Sequence, residues 1–240
     1  MLEIHQIPAL RDNYIYLIRD QATEVSAAID PSEASPVLTF LKKNGWQLDY
    51  VLNTHHHWDH TGGNIELKEK TGCRVVGFRG DQHRIPGIDE TVDESKKFSL
   101  GRSIARVIEI PGHTLGQIAF WFEEDEALFC GDTLFSIGCG RLFEGTAEQM
   151  YRSLNKLKQL PPSTKIYCGH EYTEKNILFA LSLSPQDPEL LSYQKEVQSL
   201  LTQKKSSIPS RMKIELELNP FLKARSAAEL KDIREKKDQF

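Results

Sequence analysis

Thr54-His55-His56-His57-Trp58-Asp59-His60 is the stretch whose reading decides the fold. Residues 48–53 before it, Leu-Asp-Tyr-Val-Leu-Asn, are apolar, β-branched and aromatic enough to read as a strand. Thr61-Gly62-Gly63-Asn64 follows, and then residues 65–70 read as a short helix. The cluster therefore sits on a strand-to-helix loop, where α/β sheets place their chemistry. His55 and His57 are two apart and project to the same side of extended backbone. Asp59 and His60 come as the chain turns into the helix and aim at a second point nearby. One segment thus offers two imidazoles to one metal ion, and a carboxylate plus an imidazole to a neighbouring one. An expression tag would be terminal and repetitive, whereas this segment is internal and framed by a strand and Gly-Gly.

Around this loop the composition is that of a soluble globular protein. The 240 residues suffice for one large domain or a domain with an appendage. The formal net charge of −4 argues against a non-specific nucleic-acid binder. Met1-Leu2-Glu3-Ile4-His5 has neither a basic nor an apolar signal region, and no apolar run is long enough to span a bilayer. A cytoplasmic location without membrane contact is expected. Cys73, Cys130, Cys139 and Cys168 are scattered, with no C-x-x-C pair, and read as free thiols in a reducing compartment. Cys139, in a glycine-rich loop, is the only alternative candidate for a reactive thiol.

Upstream of the cluster, residues 2–7, 14–18 and 25–29 read as strands, and residues 36–43 as a helix ended by Gly45. Asp30 closes a buried strand; it is either a cap for that helix or a partner for a metal-bound histidine. Downstream, residues 73–78 form the next strand, and residues 80–92 are polar and turn-rich, with His83 a solvated surface residue. His5 lies on an edge strand, and His56 faces away from its two neighbours and is also read as a solvated residue. Residues 104–110 alternate as a strand and run into Pro111-Gly112-His113-Thr114, a histidine held behind a tight turn. Residues 118–122 and 127–130 are strands, and the second ends in Gly131-Asp132-Thr133. Residues 136–145 read as a flexible loop without the Lys-Ser/Thr a phosphate loop needs. A helix over 147–160 and a strand over 165–168 lead to Gly169-His170-Glu171-Tyr172. Beyond Tyr172 the pattern turns helical, over 175–183, 188–204 and 226–237, with a doubtful strand at 212–218. The expected boundary lies here: residues 1–171 as a catalytic domain and residues 172–240 as an α-helical domain.

His55, His57, Asp59, His60, His113, Asp132 and His170 all fall at or just past the end of an expected strand. In a layered α/β fold those ends gather along one edge, and so many polar groups without metal would be a costly desolvated cluster. Two divalent ions satisfy them. His55, His57 and His113 serve one ion, Asp59, His60 and His170 the other, and Asp132 bridges. Ligation rich in nitrogen and free of thiolate suits zinc first, with iron or manganese as alternatives, and open positions make the site catalytic. A hydroxide shared by two such ions would be a nucleophile at neutral pH, with Asp59 and Asp132 as the expected catalytic residues.

The T-H-x-H-x-D-H signature, with the later Pro111-Gly112-His113-Thr114 and Gly131-Asp132-Thr133, resembles the metallo-β-lactamase superfamily. Within it, Gly138-Cys139-Gly140-Arg141-Leu142-Phe143-Glu144-Gly145-Thr146, Gly169-His170-Glu171-Tyr172-Thr173 and Arg234-Glu235-Lys236-Lys237-Asp238-Gln239-Phe240 resemble glyoxalase II, the hydroxyacylglutathione hydrolases. The resemblance covers nearly the whole chain. It implies an αββα sandwich carrying a binuclear site, a C-terminal helical domain that helps bind glutathione, and hydrolysis of S-D-lactoylglutathione to D-lactate and glutathione in methylglyoxal detoxification. Arg141, Tyr172, Arg234 and Lys237 become the expected substrate-binding residues, in a monomeric enzyme. Some members carry Lys at the place of Arg141 and Tyr at the place of Phe143; the second change removes a hydroxyl that could reach the glutathione backbone.

The chemistry is consistent with this. A leaving thiolate of pKa about 8.5 needs little help from a general acid, and the cluster offers no obvious extra one. A persulfide dioxygenase would share the fold and the first ligands but lack the helical domain and the 138–145 loop. A degenerate, non-catalytic metal-binding module would have lost ligands that this chain keeps.

Overall fold

The chain opens with an antiparallel hairpin of β1 (Leu2–Ala9) and β2 (Asn13–Asp20), turned through Leu10 at a φ of 48°. In the computed structural model, which describes residues 1–240, this hairpin begins a six-stranded mixed sheet. β3 (Ser26–Ile29), α1 (Ala34–Asn44), β4 (Tyr50–Leu52), α2 (Trp58–Thr61), α3 (Asn64–Thr71), β5 (Arg74–Phe78) and β6 (Ile88–Val92) follow, and the strand order is β1-β2-β3-β4-β5-β6. The pairs β3–β4, β4–β5 and β5–β6 are parallel, which requires crossovers, and α1 and α3 supply two of them.

The two faces of this sheet follow from the two-residue period of a strand. Ile15, Leu17, Ala28, Val51 and Val75 point to one face and form a core with Val37 and Leu41 of α1 and Leu67 of α3. Tyr16 and Tyr50 point to the other, where a second sheet lies. That sheet is an antiparallel meander of β7 (Lys97–Leu100), β8 (Ser103–Glu109), β9 (Ile118–Phe122) and β10 (Ala127–Gly131). The Tyr16 ring centroid is 5.5 Å from Phe129 and that of Tyr50 is 5.3 Å from Phe98. Every position of β9 and β10 is buried, as their continuous apolar runs require. These elements make one compact unit, Met1–Glu109 with Gly116–Gly131.

The second unit is Ile110–Leu115 with Asp132–Phe240. It contains a small hairpin of β11 (Leu134–Phe135) and β12 (Gly138–Cys139), then α4 (Ala147–Leu157), β13 (Lys165–Cys168), α5 (Thr173–Leu183) and α6 (Pro188–Thr202). β14 (Ser210–Arg211) pairs with β13, and α7 (Met212–Leu218), α8 (Pro220–Lys223) and α9 (Ala227–Gln239) complete it. A capping box between Thr146 and Gln149 starts α4, whose Met150, Leu154 and Leu157 are buried. Ile177 and Ala180 of α5, Leu190 and Val197 of α6 and Leu218 of α7 close over Ile137.

Three local expectations are corrected. Residues 212–218 form a helix, α7, not a strand. Met212, Ile214, Leu216 and Leu218 alternate like a strand, but the residues actually buried are Met212, Glu215 and Leu218, at helical spacing. The turn-rich 80–92 segment contains β6, whose pairing with β5 is irregular between Val75 and Val76. Residues 134–139 form a buried hairpin, so residues 136–139 are not part of the flexible loop expected over 136–145. No helix is long and apolar enough to cross a membrane.

Candidate metal centre

The first unit places four of the expected ligands on one short segment. His55 leaves the end of β4 fully buried, and His60, on α2, is 1% exposed. The His55 ring centroid lies 4.7 Å from that of His57 and 4.1 Å from that of His60, so three imidazoles are crowded together. Asp59 Oδ2 is 3.6 Å from His60 Nε2 and accepts from the side-chain amide of Asn13 at 3.1 Å.

Behind these groups stands Asp30. Its Oδ1 accepts from the Thr54 backbone N–H at 2.7 Å, and its Oδ2 accepts from Thr54 Oγ1 at 2.6 Å. Oδ2 also lies 3.1 Å from His60 Nδ1. The Thr54 hydroxyl, having donated to Asp30, accepts from His55 Nδ1, 3.1 Å away. Both imidazoles are thereby held with hydrogen on Nδ1 and a lone pair on Nε2, the arrangement by which a ligating histidine is oriented. Ligand atoms of Asp30, His55 and His60 all lie within 4.8 Å of one another, but the Asp30 oxygens are engaged by Thr54, which makes it a supporting residue and not a ligand. The N-cap of α1 is Glu33, so the helix-cap reading of Asp30 is ruled out.

The second unit holds the other three. Asp132 Oδ2 lies 3.2 Å from His170 Nε2 and 3.6 Å from His113 Nε2, between two imidazoles. His113 Nδ1 donates to the Arg141 carbonyl at 2.9 Å, again leaving Nε2 as the lone-pair nitrogen. Gly140 is required here because a Cβ at that position would overlap the Asp132 carbonyl oxygen and press on His113 Nδ1. The donor set in each unit, buried imidazoles with fixed tautomers beside a carboxylate, is chemistry suited to divalent metal.

The expected substrate-binding residues also lie in this unit. Tyr172 stacks on His170 at 4.8 Å and 4°. Arg141 is exposed and its Nε is 3.5 Å from Asp238 Oδ1. Arg234 is only 5% exposed: it donates to the Cys139 carbonyl at 2.7 Å and to Asp238 at 3.0 Å, and lies over the Phe221 ring. Lys237 is half-buried, donates to the Lys175 carbonyl and lies over Phe179. Burial, and then the neighbouring charges of Arg234, Lys175 and Arg141, bring its ammonium down to about 8. Phe143 is exposed, with its ring 5.2 Å from His113. Burial raises the Cys139 thiol to about 11.

Two family models account for nearly the whole chain: residues 11–170 match the metallo-beta-lactamase superfamily and residues 171–240 match the hydroxyacylglutathione hydrolase C-terminus. The chain belongs to the hydroxyacylglutathione hydrolases of the metallo-β-lactamase superfamily. The hydroxyacylglutathione hydrolase of Rhodospirillum rubrum is 56% identical over 226 residues, covering 94% of this chain and 88% of the relative. Among solved structures, ETHE1 from Myxococcus xanthus is similar with a TM-score of 0.76 and 26% identity, covering 97% of this chain and 90% of that one. TTHA1623 in a di-iron-bound form is similar with a TM-score of 0.60 and 26% identity, covering 70% of this chain and 91% of that one. The family has the expected mixed α/β fold with a helical C-terminal domain.

Sequence reasoning did not find Asn13, Asp81 or Arg84. Asn13 holds Asp59, while Asp81 and Arg84 hold His56, which is not the solvated residue expected. Only the burial of Asp81, invisible in a turn-rich stretch, would have marked it.

Proposed function

We propose that this protein hydrolyses the thioester of S-2-hydroxyacylglutathiones, S-D-lactoylglutathione first among them, releasing the hydroxy acid and glutathione. The observation that carries this reading is the match of residues 171–240 to the hydroxyacylglutathione hydrolase C-terminus, in a chain whose relative of that name is 56% identical. The proposed domains are residues 1–171, which carry the chemistry, and residues 172–240, which help bind substrate; the family-model matches over 11–170 and 171–240 support this division.

His55, His57, Asp59, His60, His113, Asp132 and His170 are the proposed ligands of two divalent ions. Zinc is the first choice, with iron kept in view by the di-iron form of TTHA1623, and manganese as a further alternative. Such a pair supplies a hydroxide at neutral pH and a Lewis acid for a carbonyl oxygen. The protein's own part is to fix the ligands. Asp30 and Thr54 orient His55 and His60, Asn13 holds Asp59, and Asp132 stands between His113 and His170. Arg141, Tyr172, Arg234 and Lys237 are the proposed glutathione contacts. Burial is the main cause of the depressed Lys237 ammonium, but the grouping of Lys237 with Arg234, Lys175 and Arg141 supports this, because cations gathered together favour a bound carboxylate. Arg234 enters this set with its guanidinium already shared with Cys139 and Asp238. A monomer in the cytoplasm completes the proposal.

The persulfide dioxygenase is not favoured, since the helical-domain match extends to residue 240, and neither is the non-catalytic module, since all seven ligand residues are kept. The deciding experiment is steady-state hydrolysis of S-D-lactoylglutathione by metal-analysed protein, with an oxygen electrode in parallel. Thiol release without oxygen uptake is expected. Oxygen uptake on a glutathione persulfide without thioester cleavage would overturn the reading.

A further inference from the structure

His56 lies between two proposed ligands in the chain; its ring sits edge to face with that of His57, centroids 4.9 Å apart, and enters a closed ring of polar contacts. Its Nδ1 is 3.1 Å from Asp81 Oδ2, and its Nε2 is 3.2 Å from Arg84 Nη1. Arg84 closes the ring by donating to Asp81 Oδ1 from Nε at 3.1 Å and from Nη2 at 2.6 Å. Asp81 is 3% exposed and ends a single 3-10 turn, Arg79–Asp81, after β5. Its backbone carbonyl accepts from the N–H groups of Arg84 and Ile85, which fixes the turn that carries both charges. The carboxylate packs on Gly116, where a Cβ would overlap it.

A guanidinium can only donate. The His56 nitrogen that faces Arg84 is therefore an acceptor, and the ring hydrogen sits on Nδ1 and is donated to Asp81. His56 is locked in one orientation from both edges. His56 is joined by one peptide to His55 and by the next to His57, whose rings lie 4.7 Å apart. A ring fixed at the middle residue thus restrains the two peptides that carry its neighbours. The Thr61 hydroxyl adds to this by donating to the His57 carbonyl at 3.1 Å.

We propose that Asp81 and Arg84 are positioning residues for the metal centre, acting through His56 to hold His55 and His57 in register. The inference rests on the two-metal reading above. Ion pairing alone would have stabilised the 79–84 turn without His56; the His56 ring, bonded to both partners of that ion pair, links the turn to the ligands.

The test is the zinc affinity of folded, metal-free protein, measured by competition with a chromophoric chelator, with folding followed separately by circular dichroism and urea titration. Arg84→Ala and Asp81→Asn are expected to weaken zinc binding by about tenfold to a hundredfold, the usual effect of losing a residue that orients a ligand. His56→Leu is expected to match them. His56→Gln, whose amide keeps one donor and one acceptor, is expected to restore much of the affinity. If Arg84→Ala does not fold, the His56→Leu and His56→Gln pair decides the question. Unchanged zinc affinity in folded Arg84→Ala or His56→Leu protein, whatever its urea midpoint, overturns the inference. A wild-type protein that takes up no divalent metal would sink the two-metal reading itself, a distinct result.

Discussion

Asp30 Oδ2 and His60 Nδ1 lie 3.1 Å apart, with both residues buried, and the same carboxylate also holds the Thr54 hydroxyl that orients His55. One side chain thus sets the tautomer of two proposed ligands. Asp30 has a φ of 48°, a conformation asparagine also tolerates, so Asp30→Asn isolates the charge from the backbone. Asp30→Asn is expected to weaken zinc binding about tenfold to a hundredfold in a chelator competition. Asp30→Ala should in addition lower stability by about 1–3 kcal/mol, because buried donors lose their acceptor. Wild-type zinc affinity in Asp30→Asn would remove Asp30 from the support of the site.

Asp132 faces the Nε2 atoms of both His113 and His170. Asp132→Ala is expected to lower metal content and nearly abolish thioester hydrolysis. Metal analysis by mass spectrometry together with the kinetics checks this; a folded variant with two metals and most of its activity would end the bridging role.

The buried Cys139 thiol, pushed up to about 11, stays protonated at neutral pH and is a poor nucleophile. Cys139→Ser is expected to keep most hydrolysis, and the native protein should resist iodoacetamide at this position at pH 7.5. Lost activity with metals still bound would restore a chemical role to this thiol.

Lys237 and Arg234 are expected to separate. Lys237→Ala should raise KM roughly tenfold or more with little change in kcat, since a charged contact to glutathione would be made equally in ground and transition states. Added salt should weaken wild-type binding more than binding by this variant. Arg234→Ala should also lower the urea midpoint, because the Cys139 carbonyl and Asp238 lose a buried donor. If Lys237→Ala loses as much on a small neutral thioester as on S-D-lactoylglutathione, the glutathione contact is wrong.

Glu215 is wholly buried in α7, and burial raises its carboxyl to about 7, although it accepts from Asn219 and from the Ile137 N–H. The native state then holds a proton that the unfolded state, near 4.5, has released. Native protein binds more protons than unfolded between those values, so this group's contribution to stability is fully present below about 4.5 and is lost as pH rises to about 7. The size is of order 3 kcal/mol. Glu215→Gln should flatten that part of the pH profile in urea titrations from pH 5 to pH 8, and should gain on wild type at the alkaline end. Parallel profiles for the two proteins would contradict the assignment.

The proposed ligands were legible because most stand just past a strand end, visible as an apolar run cut off by Gly, Pro or a polar group, while Asp59 and His60 lie on α2. His55 and His60 carry their own spacing. Their support was legible only in part: the strand-end position of Asp30 left a helix cap and a histidine partner equally open, and Asp81, 25 residues from His56, carried no signal, so only the folded chain reveals the contacts. Residues 212–218 misled for a physical reason. Met212, Ile214, Leu216 and Leu218 alternate as in a strand, whereas the helix turns Glu215 inward to hold Ile137, whose φ is 55°. The 134–139 hairpin was hidden likewise, because Asn219 and Asn176 pin its carbonyls from far along the chain.

The bond from Arg234 to the Cys139 carbonyl spans 95 residues. On a ribosome adding about 5–20 residues per second, that carbonyl waits roughly 5–20 s for its donor. A nascent chain paused within α7 has already exposed His55, His57, Asp59, His60, His113, Asp132 and His170, yet lacks the side chain that fastens the strand beside Gly140. The order of synthesis therefore separates the appearance of the ligands from the setting of the loop that lies against His113.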